Sequence, residues 1–306
     1  MRGRSHRVRT NQNPVRGRRV IAGLVLGAAV SACSLFADLQ GLSSTGNASD
    51  AGSPSSDVTS GLADSDGPRP EGGSDAGDVS ASATAYAKAV LSDAPLAWYR
   101  SDETAGPAAV DSVGGPSGTY STKGLTFDHP GATPGGRAVY LDGAQGRIEI
   151  GRRFPFEGTV PFTVELWVKA EVLDDKVRRI LSRAPVGDMN VGYVIQANPG
   201  DFLFQRIGDG GVSTYASGPL PAVNAWTHLV ATYDDEVTIF YMNGVETGRS
   251  NSKGVLYDDP TAILVVGDLP GGQFFKWRGL VDELAFYDKV LSPARVSAHH
   301  AAATEP

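Results

Sequence analysis

Phe162-Thr163-Val164-Glu165-Leu166-Trp167-Val168-Lys169 decides the fold. Its apolar residues Phe162, Val164, Leu166 and Val168 recur with period two, which places them on one face of a half-buried β-strand. Working outward, Arg178–Arg183, Gly192–Asn198, Phe202–Ile207, Thr227–Asp234, Val237–Met242 and Leu280–Asp288 have the same texture of β-branched and aromatic residues between Gly, Pro, Asn and Asp. Asp234-Asp235-Glu236 is a tight link, and Asn243-Gly244 predicts a two-residue hairpin because both positions must accept positive φ. Ser292-Pro293 supplies an N-cap and a first-turn proline for a short helix over Ala294–Ala303. Many short strands with regular turn signals predict an all-β, two-sheet antiparallel sandwich closed by that helix.

The remainder of the 306 residues is different. Residues 33–86 are rich in Ser, Gly, Ala, Asp and Pro, which cannot bury enough apolar surface to offset chain entropy, so they are expected to form a flexible acidic tether. Ahead of them stand seven arginines and no acids, then the short apolar run Val20–Val30 and Ser31-Ala32-Cys33. A basic start, a short apolar middle and small residues describe a secretory signal. With the chain's single cysteine directly after it, Val30-Ser31-Ala32-Cys33 resembles the lipobox of bacterial lipoproteins. That resemblance implies removal of residues 1–32, acylation of Cys33, and attachment to the cell envelope, at an outer membrane or the cell surface. Beyond residue 32 the chain carries 20 Lys and Arg against 34 Asp and Glu. So acidic a surface disfavours nucleic acid as a partner.

Several segments of residues 87–303 resemble laminin-G-like, concanavalin A-like jellyroll domains. They are Trp98–Glu103 with Ala109–Gly114, Val139-Tyr140-Leu141-Asp142-Gly143, Phe162–Val168, Trp226–Asp234, Tyr241-Met242-Asn243-Gly244 and Gly279–Tyr287. The resemblance implies a jellyroll, and its members include glycan-binding modules, protein-binding modules and carbohydrate-active enzymes. Related glycoside hydrolases place two or three acids at alternating positions of one strand, where carboxylates about 5 Å apart serve as nucleophile and acid. Here Glu165 is followed on its face by Trp167 and Lys169, so no second carboxylate joins it. The consecutive Asp282-Glu283 should face opposite ways in a regular strand. His228 is expected to be packed and hydrogen-bonded, and the adjacent His299-His300 cannot form a two-ligand clamp.

The resemblance also implies a structural calcium, with the last strand's aspartate as a ligand. Asp282 holds that position, and Asp111 and Asp142-Gly143 are secondary candidates. Calcium takes six to eight oxygens, many from flexible loops. For a glycan, Phe274, Phe275 and Tyr215 are the candidate stacking residues, whereas Trp98, Trp167, Trp226 and Trp277 are expected in the core. The expected protein is therefore an envelope lipoprotein with a non-catalytic module for glycan or protein ligands, anchored in the membrane by its lipid. The alternatives are a carbohydrate-active enzyme with a non-standard acid pair and a structural surface adhesin.

Overall fold

A computed structural model describes residues 77–187, 192–208, 213–251, 256, 259–272 and 274–304, with side chains from Ala85 onward. All lie in one compact unit, Arg69–Pro306. The expected signal, Cys33 and most of the expected tether fall outside the described residues. In chain order the elements are α1 (Gly77–Ser92), β1 (Ala97–Tyr99), β2 (Ala108–Ala109), β3 (Gly118–Tyr120), β4 (Leu125–Pro130), β5 (Arg137–Asp142), β6 (Ile148–Gly151), β7 (Phe162–Ala170) and β8 (Arg178–Ala184). There follow β9 (Gly192–Asn198), β10 (Asp201–Ile207), β11 (Ser213–Pro219), β12 (Trp226–Tyr233), β13 (Thr238–Met242), β14 (Val245–Ser250), β15 (Ile263–Val266), β16 (Arg278–Tyr287) and α2 (Pro293–Thr304).

Two eight-stranded antiparallel sheets result. One runs β14-β13-β12-β7-β16-β5-β4 with β1 added along β16; the other runs β11-β10-β9-β8-β15-β6-β3-β2. Phe162, Val164, Leu166 and Val168 meet Tyr193, Ile195, Phe202 and Phe204 of the facing sheet in one core. Aromatic stacking orders it: Phe154 lies 4.1 Å from Phe286 and Phe156 lies 4.3 Å from Phe162, ring centroid to centroid. The Asn243-Gly244 hairpin forms as expected, with φ of 51° and 78°.

Two features depart from the sequence reading. β7 is buried on both faces rather than half-buried. The reason is α1, which begins inside the expected tether and sets Tyr86 and Val90 against the outer face of this sheet. There, with α2, it closes a second apolar cluster containing Trp167, Val230, Tyr241, Ala285, Tyr287 and Val296. The folded unit therefore starts before residue 87. Among the described residues no helix is long and apolar enough to cross a membrane.

Candidate functional site

Glu165 sits at the centre of the second cluster, fully buried. His228 Nε2 donates to it at 2.8 Å, His299 Nδ1 at 2.9 Å, and the hydroxyls of Tyr287 and Tyr86 at 2.9 and 3.2 Å. On the far side of the imidazole, His299 Nε2 donates to Asp93 Oδ2 at 2.9 Å. With acceptors at both nitrogens, His299 is held as the imidazolium. Burial alone would lower its pKa, but Glu165 and then Asp93 outweigh burial and raise it. Burial would likewise raise the Glu165 pKa, and the two histidines outweigh it and hold the carboxyl well below its ordinary value. This group joins both helices to the sheet and is closed to solvent. His228 is packed and bonded as expected.

Asp282 and Glu283 correct the expectation that they face apart. The ladder between β16 and β7 shifts between Asp282 and Ala285, and Glu283 takes φ 52°. This β-bulge turns both carboxylates to the outer side. Glu283 Oε2 accepts from Trp98 Nε1 at 2.7 Å, and Asp282 Oδ2 accepts from the Ala132 N–H at 2.7 Å. Asp282 Oδ1 is buried without a partner. The cation beside them is Arg100, 3.5 Å from Glu283 Oε1 and 3.0 Å from Asp102. Burial, and then the neighbouring Glu283, push the Asp282 pKa well up; burial lifts Glu283 to about 8. Gly131 lies so close that an added Cβ would stand 2.9 Å from Asp282 Oδ2. Two buried carboxylates against one guanidinium, with an orphan oxygen, fit a hard divalent cation. No group of three or more His, Cys, Asp or Glu among the described residues gathers around one point, so backbone oxygens would have to complete such a shell.

The other metal candidates lie apart. Asp111 is buried, and its Oδ1 accepts from the N–H groups of Trp98 and Val113 while Arg153 stands 3.5 Å from Oδ2. Asp142 ends β5, and its Oδ1 accepts from the N–H groups of Ala144, Gln145 and Gly146 at 2.8 to 2.9 Å. Burial would raise its pKa, but those donors outweigh burial and lower it. With Gly143 at φ 71°, it closes the turn into β6.

That turn forms one wall of an open groove of about 870 Å³, lined by Asp142, Gly143, Ala144, Lys176, Val177, Arg178, Phe274, Phe275, Lys276 and Arg278. The groove occupies the end of the sandwich where β5 stops and β8 and β16 start. Phe275 has φ 68°, a strained conformation for an aromatic residue. Its carbonyl accepts from the Arg179 N–H at 2.6 Å, and the Arg179 guanidinium lies 5.7 Å from its ring. With Phe275 so fastened, Phe274 projects outward and is 71% exposed. Arg178 and Arg278 are braced by Asp174 and Glu171 at 2.7 and 2.6 Å, and Lys276 by Asp268.

Thus Phe274, Phe275, Asp142 and Gly143 converge, whereas Tyr215 does not. It is 60% exposed on edge strand β11, three strands from β8 and so about 14 Å away across the sheet. Sequence reasoning missed the basic residues of the groove. Lys176 with Arg178 and Lys276 with Arg278 come from two segments about 100 residues apart and form no motif; only folding brings them together.

Comparison with known proteins agrees with the architecture. The model of Laminin_G_3, described as the concanavalin A-like lectin/glucanases superfamily, matches residues 142–297. Domain 4 of AbnA, a GH43 extracellular arabinanase from Geobacillus stearothermophilus solved with arabinotriose, is similar at 23% identity and TM-score 0.51, over 67% of this chain and 98% of that one. The ligand-binding domain of botulinum neurotoxin serotype D, solved with N-acetylneuraminic acid, is similar at 12% identity and TM-score 0.55, over 69% and 52%. The serotype G binding domain gives 12% and 0.54, over 67% and 50%. The chain spans about half the length of these toxin domains, and likenesses at such identity establish the fold alone. No curated protein matches the sequence.

Proposed function

The chain belongs to the concanavalin A-like lectin/glucanase superfamily, and from that premise we propose that it is a non-catalytic module binding a glycan in the groove beside Phe274. The observation that carries this reading is the exposed Phe274 ring, set over a groove of about 870 Å³ by the fastened Phe275. An exposed aromatic face beside fixed polar groups is the usual form of a small-molecule site. Glu165, the acid on the strand where related hydrolases carry theirs, is sealed beneath two helices, which supports binding over bond cleavage. The AbnA domain was solved with arabinotriose and the serotype D domain with N-acetylneuraminic acid, so sugars are a reasonable first panel.

The test is a glycan array probed with the full chain and with Phe274→Ala. Truncating an aromatic anchor should cost more than about 1 kcal/mol, a loss of fivefold or more in affinity. Silence on every glycan, together with capture of an envelope protein, would replace this reading with the adhesin. Release of reducing ends from any polysaccharide would replace it with the enzyme.

Two attributes complete the proposal. Cys33 carries the lipid that holds the module at the cell envelope, with the segment after it as spacer. Asp282, with Glu283, holds a structural calcium that neutralises the carboxylates buried by the bulge of β16. Asp111 and Asp142 are committed to backbone donors and serve as turn and strand ties instead.

A further inference from the structure

The groove does not end at Ala144 and Lys276. Those two residues also line a second cavity of about 390 Å³, walled by Tyr120, Ser121, Thr122, Lys123, Gln145 and Arg147. The two form one trough across the end of the sandwich. Its lining holds six cations, Lys123, Arg147, Lys176, Arg178, Lys276 and Arg278, and one acid, Asp142. This is the reverse of the rest of the chain, in which acids outnumber bases beyond residue 32.

The six are not equivalent. Arg178, Lys276 and Arg278 are braced by Asp174, Asp268 and Glu171. Lys123, Arg147 and Lys176 are exposed; among the described residues none of them is in a close ion pair, although Lys176 stands near enough to Asp174 to help lower its pKa. Six cations against one acid along one trough repel each other in the absence of a ligand, and a trough lined by one sign of charge concentrates the opposite sign.

We propose that the trough takes an anionic glycan, a chain of sugars bearing carboxylates or sulfates, with Phe274 stacking at one end and Lys176, Lys123 and Arg147 receiving successive charges. This rests on the glycan reading above and adds the class of ligand. Nucleic acid has the same sign of charge, but the acidic surface outside the trough opposes a stiff polymer that extends past it.

The test immobilises paired polymers that differ only in charge: polygalacturonate against its methyl ester, and dextran sulfate against dextran, with single-stranded DNA as a fifth surface. The full chain should prefer at least one charged member of a pair over its neutral form by tenfold or more. With three charge contacts that preference should fall roughly 20- to 40-fold between about 50 and about 200 mM salt. Lys123→Glu with Lys176→Glu should abolish the preference without moving the melting temperature, because both side chains are exposed, whereas Phe274→Ala should weaken charged and neutral forms alike. Equal retention of charged and neutral forms, still sensitive to Phe274→Ala, would overturn the charge inference and leave the glycan reading standing. Binding to none of the sugars would overturn both. Stronger retention on DNA than on every glycan would assign the trough to a different polymer.

Discussion

Replacing Asp282 with asparagine should make the calcium-free protein more stable. In this structure the Asp282 carboxylate is buried, one of its oxygens has no partner, and Glu283 lies beside it. Asparagine keeps an oxygen for the Ala132 N–H and removes the charge. The amide still lacks a partner on one side, but an unsatisfied buried charge costs more than an unsatisfied neutral group, by an amount on the order of 1–3 kcal/mol, and in a domain of this size each kcal/mol moves the melting temperature by about 2–4 °C. The gain in EDTA near about pH 8 is therefore expected between about 2 and 12 °C by differential scanning calorimetry. Calcium reverses the order. At about 100 times its dissociation constant it stabilises the wild type by about 2.7 kcal/mol, while Asp282→Asn, short of a charged ligand, should respond weakly. Glu283→Gln is the companion variant and should also raise the EDTA melting temperature. An asparagine variant less stable than wild type in EDTA, or a wild type indifferent to calcium, would refute the reasoning.

Glu165→Gln strips the partner from a buried imidazolium, so it should cost about 3–5 kcal/mol, whereas Glu246→Gln, at the exposed Arg249 pair, should cost under about 1 kcal/mol; chemical denaturation compares them. The pH profile follows from the signs of the shifts. His299 has a raised pKa, so its contribution is complete below its unfolded value and is lost as pH rises through the folded one. Glu165, with a lowered pKa, contributes above its unfolded value and loses that only as pH falls through its folded one. Asp282 and Glu283, both raised, oppose folding increasingly as pH climbs from about 4 towards 8 and beyond. Without calcium the melting temperature should therefore fall from about pH 6 to about pH 9, and Glu283→Gln should flatten part of that fall. Cys33→Ala should move the protein from the membrane fraction to the soluble one; an unchanged distribution would remove the lipid anchor.

Strands with strict alternation or strong turns were legible in the sequence. Gly192–Asn198 appears with the expected ends, and the Asn243-Gly244 turn appears where positive φ was required. What escaped was set by tertiary contact. The helix Gly77–Ser92 starts in a segment of Gly, Ser and Ala with weak periodicity, and it is anchored by side chains that mean little before folding: Tyr86 on Glu165, and Asp93 between His299 and Arg295. The bulge at Asp282-Glu283 is invisible to a period-two rule, because one extra residue reverses the face of everything after it. Within the groove, sequence located Phe274 and Phe275 by their glycine-rich approach and exposed character. The basic residues around them were beyond reach, because Lys176 and Arg178 meet Lys276 and Arg278 only when the ends of β5, β8 and β16 come together.

The placement of the two helices determines which surfaces remain for a ligand. In related hydrolases the acid-bearing strand faces its substrate, but in this chain the corresponding outer face of β7 receives Tyr86, His299 and His300, with His300 stacked 5.6 Å from Trp167. A carboxylate so enclosed stabilises the docking of α1 and α2, and reaching it would require both helices to leave. Among the described residues no helix covers the strand ends at the groove, and loops there tolerate a strained backbone like that of Phe275 because the scaffold beneath them is rigid. A module of this design can therefore change what it binds by changing loop residues at Lys123, Arg147, Lys176 and Phe274 while the Glu165 cluster holds the fold. Exchanging the loop at 271–276 should alter glycan preference and leave the unfolding midpoint near its original value, whereas any exchange around Glu165 should do the reverse.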